Sequence, residues 1–313
     1  MSGPEHLPII EPMLATAARA TPAAEMEWAA EMKWDGVRAL AYVSDGEAIL
    51  RGRTGRDITG SYPEIAAGLA EVAGQRTLIL DGEITAFDGP HPRVALLQRR
   101  LHVSRPDPAL LADAPATFVV YDILHRAGRS LLGNPYAQRR ALLDDLAPGV
   151  GAVTIPPAFP GESRAVIDAS RQLGLQGVVL KHIRSRYYPR QRTPEWLNIR
   201  HLAMTNILIG GWVPGTGWRA RFAGSVLAGG PGPAGLEYLG LVGSGFTEAE
   251  LRDLTARLQE LQRRDSPFDT PVPVSVARRA RWTRPVLAAE VAYTELTPDG
   301  HMRHPVWRGL RLA

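Results

Sequence analysis

Apolar stretches of five to eight residues recur through the first two-thirds of the chain, at Arg38–Val43, Thr77–Ile84, Phe118–Leu124 and Gly177–Lys181, which predicts buried strands. Between them, Tyr62–Val72 and Ala137–Leu146 repeat apolar residues at the spacing of a surface helix, and Pro63 suits a first helical turn. Ser163–Leu173 predicts a third helix, with Gly174 as its stop. Near His201 the texture changes. Ile207–Val213, Arg219–Ala228 and Leu236–Val242 read as strands broken by Gly and Pro turns, and one helix, Thr247–Arg263, interrupts them. A β-prone stretch at Val286–Glu295 and a turn at Pro298-Asp299-Gly300 follow, and Gly229–Gly235 reads as a flexible loop. Several short strands around a single helix suit a small closed barrel of the OB type. The pattern predicts an α+β protein of two domains, residues 1–201 and 202–313.

Composition narrows the class. The 313 residues are 45% hydrophobic and 22% charged, close to soluble globular averages, so neither disorder nor a fibrous repeat fits. The absence of cysteine excludes a disulfide framework, a thiolate metal site and a thiol nucleophile. The opening Met1–Pro12 lacks a basic start followed by an apolar stretch, and no apolar run is long enough to span a bilayer. A cytoplasmic location without membrane association is expected.

The net charge of +4 and a pI near 9.6 are compatible with a polyanionic partner. Only two of the 36 basic residues are lysines, Lys33 and Lys181. A coding bias toward arginine accounts for the general excess and leaves the question of why lysine persists at two places. An amine can lose its proton and attack an electrophile, whereas a guanidinium cannot, so each lysine is a candidate nucleophile.

Lys33 lies in Glu31-Met32-Lys33-Trp34-Asp35-Gly36-Val37-Arg38, ahead of a glycine turn into a strand; an ordinary charged turn would read the same way. Gly52-Arg53-Thr54-Gly55-Arg56-Asp57 sets two arginines in a turn that holds phosphate oxygens or is a solvated loop. Asp81-Gly82-Glu83 closes an apolar strand either as a solvent-facing hairpin or as a pocket for magnesium or a ribose. Phe118–Asp122 ends on an aromatic and an acid, which core packing with a surface Asp122 would also explain. Lys181 ends another apolar strand where a cation can address a phosphate. In Trp196–Arg200, alternation puts Asn198 and Arg200 on one face and Leu197 and Ile199 on the other.

In order and spacing, these elements resemble the ATP-dependent DNA ligases, specifically the bacterial end-joining type: the ligase module of ligase D and the stand-alone ligase C. The markers are K-x-D-G-x-R at Lys33–Arg38, R-x-G at Arg53, D-G-E at Asp81–Glu83, Tyr121-Asp122, G-V-V-x-K ending at Lys181 and W-x-x-x-basic at Trp196–Arg200. Gly243–Thr247 and Arg303–Arg311 also look like this family's OB domain. The resemblance implies a nucleotidyltransferase (adenylation) domain followed by an OB-fold barrel. It implies that Lys33 attacks the α-phosphate of ATP, carries AMP as a phosphoramidate, passes it to a 5′-phosphate at a DNA nick, and that the 3′-hydroxyl then displaces AMP. An unperturbed lysine, with pKa about 10.4, is neutral only about once in a thousand at pH 7. Lys181, Arg38 and Arg53 are the cations expected to ease that cost and to neutralise phosphate charge.

By the same resemblance Glu31 and Met32 line the base pocket, Tyr121 stacks on adenine, Glu83 binds ribose or metal, and Arg200 contacts phosphate. Mg2+, or Mn2+, is the implied metal, with Glu83 and Gln176 as its ligands. The implied partners are nicked or broken double-stranded DNA, an end-binding protein and a separate polymerase, with the chain itself a monomer; no particular DNA-contacting residue is indicated. The OB domain is expected to close over DNA or ATP, and from Met204 onward there are thirteen basic and ten acidic residues.

Three positions depart from the family pattern. Gln176 stands where a metal-binding glutamate is expected, Asn198 replaces the first of two phosphate-contacting lysines, and the sequence ends at Arg311-Leu312-Ala313 without the usual Asp-Lys. An amide is a poorer ligand for a hard cation than a carboxylate. These departures predict slow self-adenylylation and leave open an alternative: a degenerate nucleotidyltransferase fold that binds DNA or a partner with weak or no ligase activity.

Overall fold

The computed structural model describes residues 3–89, 91–101, 103–146, 151–217, 220–297 and 299–311. It divides into two compact units, Met1–His201 and Leu202–Ala313.

The first unit is built on two sheets. One runs Glu47–Gly52, Val37–Ser44, Leu78–Asp88, Ala116–Arg126 and Arg129–Ser130, with the short strands His91–Pro92 and Val153–Thr154 at its side. The other runs Leu14–Ala18, Arg192–Arg200, Gly177–His182, Trp28–Met32 and Phe159–Pro160. Both are antiparallel in their central pairings, whereas Leu14–Ala18 joins Arg192–Arg200 in parallel across a bulge.

Alternation assigns each strand two burial environments. Ala39, Ala41 and Val43 pack with Leu78, Leu80 and Phe118 against the helices Pro63–Ala73 and Tyr136–Asp144. Leu40, Tyr42 and Ile79 form a second core with Met13, Tyr187 and Trp196. The helix Ser163–Gln172 covers the other sheet through Val166 and Ile167, which meet Trp28, Val178 and Leu180. Asp122, a surface acid by sequence pattern, is buried instead. Arg139 on the helix Tyr136–Asp144 forms a fork on it, with Nε to Oδ1 at 2.8 Å and NH2 to Oδ2 at 3.0 Å, and both side chains are 0% exposed.

The second unit is a curled antiparallel sheet in the order Gly235–Val242, Ala223–Gly232, Ala203–Pro214, Ala288–Tyr293 and Val306–Leu310. The helix Glu248–Glu260 packs Leu254 and Leu258 into the same core as Ile209, Val226 and Trp307. Thr247 and Glu250 close a capping box at its start, and it ends three residues before the expected Arg263. The expected loop at Gly229–Gly235 is a tight hairpin. Gly229 pairs with Tyr238 and Gly230 with Glu237, so the strand continues to Gly232. A Cβ on Gly229 or Gly230 would meet the Leu236 or Leu239 side chain at 2.8 and 2.7 Å, so these glycines make room for neighbours rather than for motion. The β-prone Val286–Glu295 resolves into Ala288–Tyr293 and a separate strand, Glu295–Leu296. Arg219, Pro298, Leu312 and Ala313, named in the sequence analysis, lie outside the described residues.

Removing Asp122 leaves a guanidinium buried without its counter-ion, a change that costs about 3–5 kcal/mol in comparable settings. Asp122→Ala is therefore expected to lower the urea midpoint by that equivalent, and unfolding curves superimposable on wild type would refute the assignment of this pair as a structural anchor.

Candidate functional site

The strand Trp28–Met32 delivers Lys33 to a cavity of about 510 Å³, a volume typical of small-molecule sites. Lys33 N donates to Gly177 O at 3.0 Å, which ties the motif to the neighbouring strand. Gly36 is required by close approach: a Cβ there would sit 2.0 Å from the Ile84 carbonyl oxygen. This contact lets the Val37–Ser44 strand pair with Leu78–Asp88 in a register that sets Arg38 opposite Glu83.

Of the residues to which the resemblance assigns a role, the cavity gathers all but Gln176. Glu31, Met32, Lys33, Arg38, Arg53, Glu83, Tyr121, Lys181 and Arg200 line it, together with Asn198. Gln176 stands behind the lysine, its Oε1 accepting from Lys33 Nζ at 2.7 Å. The alternation expected for Trp196–Arg200 holds: Asn198 and Arg200 face the cavity while Ile199 packs in the core below. Asn198 Oδ1 is buried without a hydrogen-bond partner among the described residues. Asp81 is not a cavity acid. It accepts from Arg38 Nε at 3.0 Å, Arg38 NH2 at 2.6 Å and the Tyr187 hydroxyl at 2.7 Å.

Electrostatics separates the charged groups. Burial alone would lower the Arg38 guanidinium, but Asp81, aided by Tyr121 and Tyr187, holds it well above its ordinary range. Arg38 also donates to Met13 O at 2.6 Å, so its position is fixed from two sides. Lys181 is 1% exposed; its Nζ lies 2.9 Å from Glu31 Oε2 and donates to Tyr121 O at 2.9 Å. Three rings surround that ammonium, Trp196 at 4.5 Å, Tyr121 at 4.8 Å and Tyr136 at 5.0 Å. The Tyr136 hydroxyl donates to Glu31 Oε1, completing the carboxylate's support. Glu83 has no ion pair among the described residues, and burial pushes its carboxyl up to about 7 against the pull of Lys33 and Arg38. Burial likewise raises the Tyr121 phenol far above its usual value, so it is neutral.

Sequence reading missed Tyr136, Arg192 and the cavity-facing role of Trp196. Tyr136 and Arg192 reach the site through tertiary pairing: Tyr136 through its helix, and Arg192 through the parallel register that places it opposite Leu14. A basic residue at the head of the strand whose far end carries Arg200 was the one available signal for Arg192.

No group of three or more His, Cys, Asp or Glu side chains that could hold a metal occurs among the described residues. The donor set therefore does not form a protein cage. A single half-buried carboxyl, pushed up to about 7, does fit a divalent cation that brings most of its other ligands with it as phosphate oxygens and water.

The comparisons agree with this geometry. The family model described as "ATP dependent DNA ligase domain" matches residues 12–200, and "ATP dependent DNA ligase C terminal region" matches 219–312. The chain is 39% identical over 303 residues to a multifunctional non-homologous end joining DNA repair protein, LigD, of Mycobacterium tuberculosis, covering 96% of this chain but only 38% of that protein. It is 30% identical to DNA ligase C1 of Mycolicibacterium smegmatis, covering 96% of this chain and 90% of the other. Among solved structures, the ligase domain of M. tuberculosis LigD aligns with a TM-score of 0.58 at 38% identity, over 96% of this chain and 95% of that one. A mycobacterial DNA ligase D complexed with ATP and MES gives 0.57 at the same identity and coverage. With both units matched and the lysine-centred cavity in place, the chain belongs to the ATP-dependent DNA ligase family.

Proposed function

We propose that this chain seals breaks in double-stranded DNA at the expense of ATP, with Lys33 as the covalent nucleophile. The observation that carries this reading is the placement of Lys33 in a nucleotide-sized cavity lined by Arg38, Arg53 and Arg200. In the first step the neutral Lys33 amine bonds to the α-phosphorus, the bond to pyrophosphate breaks with its electron pair on the leaving oxygen, and the amine gives up a proton. A 5′-phosphate oxygen of DNA then displaces lysine from phosphorus. Finally the 3′-hydroxyl oxygen attacks that 5′-phosphate, releasing AMP and closing the phosphodiester.

The residues divide this work according to how their charges are already engaged. Arg38 is anchored by Asp81 and Met13 O and serves as a fixed positive wall. Arg53 and Arg200 are exposed and form no ion pair among the described residues, which suits them to take phosphate oxygens directly. Tyr121 offers a neutral aromatic face to the purine, with Met32 completing its contact surface. Glu31 is held by Lys181 and Tyr136 as a rigid acceptor toward the base edge. A magnesium ion bound with ATP would supply Lewis-acid polarisation of the phosphates. Glu83 would hold it, with Gln176 as a neutral second oxygen. Gln176 meanwhile receives Lys33 Nζ, which orients the amine.

The end-joining proteins among the relatives support double-strand break repair as the setting, with an end-binding protein and a separate polymerase as partners. Comparison of nick sealing with joining of blunt ends, with and without an end-binding protein, tests that setting.

Incubation with α-labelled ATP and Mg2+ or Mn2+ should give an acid-labile covalent label that Lys33→Ala abolishes; a folded wild type that takes no label under either metal rejects the reading. Because Gln176 and Asn198 replace one metal-binding charge and one phosphate cation, Gln176→Glu with Asn198→Lys should raise the rate of labelling by on the order of tenfold. An unchanged rate would show that the two amides are not what limits the step.

Glu83 predicts a pH dependence. Its folded value of about 7 lies above the usual 4.5, so the folded chain binds this proton more tightly than the unfolded chain does. The resulting stability is complete below pH 4.5 and is lost as pH rises through 7. Glu83→Gln should therefore match wild type near pH 4 and exceed it at pH 8 by about 1–3 kcal/mol, read from urea unfolding, while labelling by ATP falls at least about tenfold. Equal stability at pH 8 would count against a half-buried carboxyl whose proton is held more tightly in the folded chain.

A further inference from the structure

One dipeptide, Gln176-Gly177, holds Lys33 at both ends. Gly177 O accepts from Lys33 N at 3.0 Å, and Gln176 Oε1 accepts from Lys33 Nζ at 2.7 Å. The dipeptide is itself held from behind by two residues that do not line the cavity, Ser170 and His201. The Ser170 hydroxyl donates to the same Gly177 O at 2.8 Å, and His201 N donates to Gln176 O at 2.9 Å. These two residues also meet each other, with His201 Nε2 lying 2.9 Å from Ser170 Oγ.

The direction of each hydrogen bond in this circuit follows from its donors. The Ser170 hydroxyl spends its one proton on Gly177 O, so His201 Nε2 carries the hydrogen that joins ring and hydroxyl. In the neutral ring Nδ1 then bears no proton, and it is buried with no partner among the described residues. An imidazole kept for packing alone would be better replaced by an apolar side chain of similar size, because an unpaired buried nitrogen costs stability. Ser170 is 0% exposed on the last turn of the helix Ser163–Gln172, three and four residues beyond Ile167 and Val166, which seat that face of the helix on the sheet. Helix packing thereby brings a fixed hydroxyl to the Gly177 carbonyl.

We propose that Ser170 and His201 are positioning residues for the transfer of AMP to Lys33, acting through Gln176-Gly177; the inference rests on Lys33 being the nucleophile. Both lone pairs of Gly177 O are taken, one by Lys33 N and one by the Ser170 hydroxyl, and Gln176 O is tied to His201 N. The carbonyl that receives the lysine backbone and the amide that receives its Nζ are therefore held as one unit. In-line attack depends on such placement, since a misplacement of about 1 Å costs on the order of 100-fold in rate. Closure of the phosphodiester by the 3′-hydroxyl makes no use of the Lys33 amine, so that step is independent of the pair.

The experiment uses the full chain and reads the two steps separately. Ser170→Ala and His201→Leu should each lower the maximal rate of covalent labelling by α-labelled ATP on the order of tenfold, with KM for ATP unchanged to about twofold. Sealing of a synthetic nick that already carries a 5′-adenylate should stay within about twofold of wild type. Labelling that keeps its rate, or sealing that falls along with it, overturns the proposal. His201→Gln places a donor where Nε2 stands and should restore labelling; a loss equal to that of His201→Leu assigns the effect to ring packing and overturns it as well. Because the chain has only two lysines, isotopic labelling of lysine gives a second readout that needs no reaction. In Ser170→Ala the Lys33 side-chain NMR signal should shift or broaden while that of Lys181, on the strand that Gly177 begins, stays in place. A Lys33 signal that does not move, or a Lys181 signal that moves equally, overturns the proposal. A wild type that takes no label from ATP rejects the proposed chemistry, and the lysine signals then still decide whether Ser170 and His201 hold Lys33 in place.

Discussion

A charge taken out of water must find a partner, and in the first unit that requirement determines which groups are left to act. Among the cations drawn into the protein, three each meet a dedicated acid: Arg38 meets Asp81, Lys181 meets Glu31 and Arg139 meets Asp122. Once these pairs are formed, Glu83 is the acid facing the cavity with no ion pair among the described residues, and its carboxyl rises to about 7. The same bookkeeping applies to the cations. Arg53 and Arg200 remain outside any ion pair among the described residues and line the cavity with their charge unmatched there.

The survival of two lysines in an arginine-biased chain has two separate explanations. Lys33 lines the cavity, where a group able to lose its proton has a use that a guanidinium cannot fill. Lys181 lines the same cavity but is held from all sides: it is buried, bonded to Glu31 and a carbonyl, and boxed by three aromatic rings at 4.5–5.0 Å. A compact ammonium fits inside that box, and a planar guanidinium on a longer stem would have to displace a ring or lose one of its two oxygen partners. Rarity alone therefore marked both positions without separating their environments.

The legible parts of the fold were those fixed by short-range pattern. The strand around Arg38, the helix Ser163–Gln172 and the capped helix after Thr247 follow from alternation, helical spacing and cap chemistry within a dozen residues. The motif residues converge on one cavity because each ends or begins such an element. What stayed hidden depends on partners far away in sequence. Asp122 looks like a surface acid until the helix bearing Arg139 covers it, and Tyr136 is an ordinary helical aromatic until its hydroxyl meets Glu31. Gly229 and Gly230 resemble a loop in sequence because glycine signals freedom locally, whereas here the space they leave is filled by Leu236 and Leu239 from the next strand.

The arginines of the two units show why composition could suggest a polyanion without locating it. In the first unit many are structural: Arg100 bridges Glu64 and the Ser61 and Ala114 carbonyls, and Arg140 ties Asp144 to Pro156 O. Such residues count toward the net charge yet present little field to a ligand, since each is matched by an acid or by carbonyl dipoles close by. The arginines of the second unit clustered between Arg263 and Arg284 have neither kind of match among the described residues. A basic excess of only four charges thus understates what the surface offers, because the acids that balance the total are spent elsewhere, on partners inside the fold.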